Sequence, residues 1–99
     1  LGHTECGAVK GACDDVKMGN LTTTRSYLRP ALESVQGVEG PRTSKNAQFV
    51  AAVTEANVRL TIEAMRKQSP ILDEPVSKGD VVLAGGVYDV KSGVVSFLE

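Results

Sequence analysis

The sequence predicts an α/β chain, mostly helical and closed by a β-hairpin. Three observations carry this. Residues 45–68 hold the longest run of apolar side chains at helical spacing. After Gly79 the period changes: Val81 to Ala84 is a continuous apolar run, and the segments flanking Lys91-Ser92-Gly93 read as the arms of a hairpin. At the other end, Leu1-Gly2 reads as the tail of a strand that runs into a turn.

At 99 residues the chain makes at most one small domain. Aromatic residues are 4% and Trp is absent, so the expected core is Val, Leu, Ala and Ile. A net charge of −1 gives no electrostatic reason to expect nucleic acid or an anionic membrane surface as partner. No apolar run is long enough to span a bilayer. Two cysteines, Cys6 and Cys13, fit a reducing compartment or a metal site better than a disulfide framework. The residues assign no compartment beyond that.

Ala8, Val9, Ala12 and Val16 recur at helical spacing, so a short helix is expected directly behind Cys6. Met18-Gly19-Asn20 reads as the turn that ends it. Thr22, Thr23 and Thr24 offer a cap for a second helix carrying Tyr27, Leu28, Ala31, Leu32 and Val35. Pro30 within this run is expected to kink or restart the helix and to push Arg29 out of helical geometry. Residues 37–42 read as a loop. In the long helix Phe49, Val53, Ala56, Leu60 and Ala64 line one face, and Ser44 is its expected cap. That broad stripe suggests packing against a second subunit as well as the chain's own sheet. Ser69-Pro70 caps a further helix, with Ile71, Leu72 and Val76 expected to face the core and Gly79 to stop it. Val81 to Ala84 is expected as a buried strand, with Gly85-Gly86 permitting close backbone approach.

The chemistry sits at Gly2-His3-Thr4-Glu5-Cys6-Gly7. His3 and Cys6 are an imidazole and a thiol at metal-ligand spacing, and both are good zinc donors. Cys6 at a helix start lies near the positive end of the dipole, which suits an anionic ligand. A catalytic zinc takes three protein ligands. His3 is the one histidine in the chain, so a third donor would be Cys13 or an acid such as Glu5 or Asp14. The amide of Gly7 and its neighbours is a candidate anion contact; a tight turn is the plainer use of Gly2 and Gly7. Tyr88 and Asp89 read as structural. Arg42, Lys45 and Asn46 suggest an interface, and Asn57 a buried, hydrogen-bonded polar residue.

Gly-His-Thr-Glu-Cys-Gly resembles the second metal motif of the β-class carbonic anhydrases. The similarity continues in the same order through Lys10-Gly11-Ala12, Gly40-Pro41-Arg42, Lys45-Asn46, Ala56-Asn57-Val58, Ser69-Pro70-Ile71-Leu72, Gly86-Val87-Tyr88-Asp89-Val90, Ser92-Gly93 and Phe97-Leu98. It covers essentially the whole chain.

The resemblance implies a parallel sheet flanked by helices with a hairpin at the sheet edge, assembled as homodimers or tetramers. It implies Zn2+ held by two cysteines and one histidine, with His3 and Cys6 matching two of the three. The third ligand belongs to an earlier Cys-x-Asp-x-Arg motif whose Asp and Arg form a dyad beside the metal. No such motif occurs in these residues; Cys13-Asp14-Asp15-Val16-Lys17 does not match it, so Cys13 is not promoted to ligand. The expectation is therefore a single partial domain over 1–99, the C-terminal part of the family fold, with the first sheet strands and the dyad on an N-terminal segment of the same protein. The implied activity of the whole is zinc-dependent reversible hydration of CO2 to bicarbonate, impaired in these 99 residues alone. The rival readings are a non-catalytic homologue or interaction module, and a CS2 or COS hydrolase on the same scaffold.

Overall fold

The structure is a computed structural model and describes residues 1–17 and 19–98. Its elements run β1 (Gly2–His3), α1 (Gly7–Cys13), α2 (Leu21–Ser34), α3 (Ala47–Gln68), α4 (Pro70–Ser77), β2 (Gly85–Tyr88) and β3 (Val95–Leu98). The three strands form one mixed sheet in the order β1-β2-β3. β1 pairs parallel to β2, with Gly2 opposite Val87 and His3 opposite Tyr88. β2 and β3 form the expected antiparallel hairpin, Gly85 opposite Leu98 and Tyr88 opposite Val95. This is the α/β arrangement the pattern predicts, mostly helical with a small sheet.

The long helix organises the rest. α1 and α2 pack on one side of α3, and β1 and β2 on another. Phe49 and Val53 are the largest fully buried side chains among the described residues, 1% and 0% exposed, amid Val9, Ala12, Cys13, Leu28, Ala31 and Val35. Apolar positions on three helices thus converge, and removing such surfaces from water is what holds them together.

Several local expectations are corrected. The cap of α3 is Asn46, whose side chain accepts from the Phe49 amide while its own amide donates to the Glu39 and Pro41 carbonyls. Ser44 instead donates its hydroxyl and its backbone N–H to Asp14. α2 starts at Leu21 behind Asn20, without a side-chain cap bond. It runs through Pro30 unbroken, and Arg29 stays helical. The proline costs the Ser26 carbonyl its amide partner, but Pro30 and Ser26 are both exposed, so water can replace the amide. Of the turn at Met18-Gly19-Asn20, Met18 lies outside the described residues.

α4 begins as expected, with the Ser69 hydroxyl accepting from the Leu72 amide and Pro70 at its first position. It ends in a left-handed Gly79 (φ 81°), whose N–H donates to the Val76 carbonyl while that of Asp80 donates to Pro75. Yet Ile71 is 89% exposed and does not face a core. Only one side of α4 meets α3, where Arg66 pairs with Asp73 at 2.6 Å. Val81 to Ala84 is not a buried strand: none of the four is in a strand, and Val82 is 83% exposed. Pairing starts at Gly85, where the backbone comes against α3. A Cβ on Gly85 would lie 2.7 Å from Val58 Cγ1, so glycine fits there and a larger residue does not.

Candidate metal site

His3 ends β1 and Cys6 caps α1, so strand and helix between them fix both donors. The sheet sets the first: the β1 backbone is registered on β2, and Gly2 lies flat on α3, where a Cβ would come within 2.8 Å of Thr54 Cγ2. The second follows from the helix start. The Cys6 carbonyl accepts from the Lys10 amide at 3.0 Å, while its backbone is still extended (φ −75°, ψ 113°). Between the donors, Glu5 takes a left-handed conformation at φ 56°. Such a φ is uncommon for a residue with a side chain. Neither glycine makes this turn, contrary to the plain reading of Gly2 and Gly7: Gly2 is a close-approach residue, and Gly7 is already helical.

The His3 ring is oriented by a neighbour. Its Nδ1 lies 2.7 Å from the Thr4 carbonyl oxygen. A carbonyl only accepts, so Nδ1 carries the proton and Nε2 keeps the lone pair a metal requires. His3 and Cys6 both line an open, largely apolar groove of about 750 Å³ that also touches Leu1, Tyr27, Thr54 and Leu60. Asn57 borders this groove too and is half-buried rather than buried. Gly7 is exposed and borders neither this groove nor the smaller hollow beside His3.

The other donors weighed from the sequence are engaged elsewhere. Cys13 sits in the helical core, and burial, with the charge of Asp14 beside it, pushes its thiol up. The Ser44 hydroxyl and N–H hold the Asp14 carboxyl below its ordinary range. Glu5 pairs with Lys10 at 2.6 Å, and that ammonium holds its carboxyl down likewise. Among the described residues no three or more of His, Cys, Asp and Glu gather closely enough to hold a metal. The kinds of donor fit zinc, an imidazole with a free Nε2 beside a thiol, but their number among the described residues does not complete a site.

Arg42, expected near an interface, closes the C-terminal end of α2. Its guanidinium donates to the Val35 and Leu32 carbonyls at 2.6 and 2.7 Å and lies over the Phe49 ring. The residue that sequence reasoning missed is Thr4. Its N–H donates to the Tyr88 carbonyl at 2.9 Å, and its Oγ1 accepts from the Val90 N–H at 3.1 Å. No local signal marks that role, because the partners lie at the far end of the chain.

A family model described as carbonic anhydrase matches residues 1–95. The chain belongs to the carbonic anhydrase family. The match contains the His3/Cys6 loop, all four helices and β2, so the resemblance first seen in short motifs holds along the sequence. Among curated proteins, no match is found.

Proposed function

We propose that this carbonic anhydrase chain serves zinc-dependent, reversible hydration of CO2 to bicarbonate, with His3 and Cys6 as two of the metal's protein ligands. The observation that carries the reading is the loop itself: an imidazole whose Nδ1 is committed to the Thr4 carbonyl, and a thiol at a helix start, on one groove of a carbonic anhydrase fold. Bound there, zinc would supply the Lewis acidity that lets water act as a nucleophile near neutral pH, a general effect for which carbonic anhydrase is itself the standard illustration. The residues of this chain hold and orient. His3 Nε2 and Cys6 Sγ are the donors, Thr4 fixes the ring, and the apolar groove wall suits an uncharged gas better than an ion. The remaining cysteine and the Asp/Arg dyad are assigned to a Cys-x-Asp-x-Arg segment of the same protein. Self-association into dimers or tetramers would cover exposed apolar side chains such as Ile71 and Phe97.

A second reading, a carbonic anhydrase homologue without catalysis, is favoured by the incomplete donor set among the described residues. One experiment separates the two. The full gene product is purified, its intact mass and zinc content are measured, and CO2 hydration is followed by stopped flow. The catalytic reading expects zinc near one per chain and loss of both zinc and activity in His3→Ala and Cys6→Ser. Full hydration by the double variant, or a zinc-free wild type without activity, would overturn it.

A further inference from the structure

Only Thr4 and Glu5 stand between the two donors, and each is held from outside the loop. Glu5, in its left-handed conformation, is pinned to α1 by Lys10. Thr4 carries three bonds at once. Its N–H reaches the Tyr88 carbonyl, its Oγ1 takes the Val90 N–H from 86 positions away, and its carbonyl takes the His3 ring proton. The histidine ring is thus one residue removed from the end of the β2–β3 hairpin. That hairpin end is itself held. The Asp89 carboxylate accepts from the Lys91 N–H at 2.9 Å, the Asp89 N–H donates to the Val94 carbonyl at 2.8 Å, and the Gly93 N–H donates to the Asp89 carbonyl at 2.8 Å.

We infer that Thr4 is a positioning residue whose hydroxyl braces the metal loop against the C-terminal hairpin and so sets the metal affinity of the His3/Cys6 pair. The inference rests on the metal reading proposed above. The physical reason is preorganisation. A loop already held in its binding conformation does not spend interaction energy on ordering when the ion arrives, and groups that orient a metal ligand typically change affinity by about 10–100-fold when removed. A Val side chain keeps the shape and branching of Thr but cannot accept from Val90. Ser keeps the acceptor and loses only a methyl.

The test uses Co2+ as the probe metal with the full gene product, following the thiolate-to-cobalt charge-transfer band during titration and the thermal midpoint of each variant. Thr4→Val is expected to bind Co2+ about tenfold more weakly than wild type, with a nearly unchanged midpoint, and Thr4→Ser to restore the wild-type affinity. Asp89→Ala loosens the hairpin end without touching the loop, and its affinity should fall in the same direction. Equal affinity in wild type and Thr4→Val would overturn the brace, as would a fall in Thr4→Ser as large as in Thr4→Val. Failure of the underlying metal reading looks different: no thiolate band in wild type, or a band that Cys6→Ser leaves at full strength.

Discussion

Val58 is the contact on which the sheet is seated. It is 5% exposed on α3, and its two methyls face two glycines on neighbouring strands. A Cβ built on Gly2 would lie 3.0 Å from Val58 Cγ2, and one built on Gly85 would lie 2.7 Å from Val58 Cγ1 and 2.9 Å from Ile62 Cδ1. Carbon atoms prefer separations of about 3.5–4.0 Å, so Gly85→Ala falls short by roughly 0.8 Å at Val58. The Ile62 methyl is the end of a flexible chain and can move. Val58 cannot easily do so, because a β-branched residue in a helix has one strongly preferred rotamer. Gly85→Ala should therefore cost about 1–3 kcal/mol through overpacking. Val58→Ala removes two buried methyls and should cost about 2 kcal/mol. In the double variant the new methyl enters the vacated space, so its loss should be smaller than the sum by at least about 1 kcal/mol. Urea unfolding of the four proteins at one concentration measures this. If Gly85→Ala matches wild type, or if the double variant equals the sum, the packing argument is wrong.

Two further predictions concern ionisable groups. Asp14, held down by the Ser44 hydroxyl and N–H, and Asp89, held down chiefly by the Lys91 N–H, both have depressed carboxyls. A depressed acid contributes stability above its unfolded value and loses it as pH falls through the folded one, so the melting temperature should fall below about pH 4. Asp14→Asn should flatten that acid limb, and a melting temperature that rises on acidification would contradict the assignment. Burial pushes the Cys13 thiol up, whereas Cys6 is only half-buried. Iodoacetamide at pH 8 should label Cys6 first and reach Cys13 only on unfolding, and peptide mapping that shows equal rates would refute the buried placement.

Much of this fold could be read from local pattern, and what could not had long-range causes. The 45–68 stripe gave its helix because apolar period and length agree over many turns, and Ser69-Pro70 gave α4 because both residues act within one turn. The helix caps went astray where a distant partner competes, as when Ser44 turns to Asp14 thirty positions away and leaves Asn46 to cap. Val81 to Ala84 has the composition of a buried strand, yet it is the glycines after it that pair, because only they fit against Val58 and Ile62. The site divides in the same way. His3 and Cys6 stand out by type and spacing. Thr4 does not, since its role depends on Tyr88 and Val90, and Glu5 carries none of the glycine or asparagine signal expected of a left-handed residue.

X-ray absorption at the zinc edge of the full gene product, purified without added metal, bears most directly on the central claim. Two sulfurs at about 2.3 Å and a nitrogen at about 2.0–2.1 Å are predicted, with one sulfur lost in Cys6→Ser and the nitrogen in His3→Ala. An oxygen-only shell, or a zinc spectrum that neither substitution alters, would contradict it.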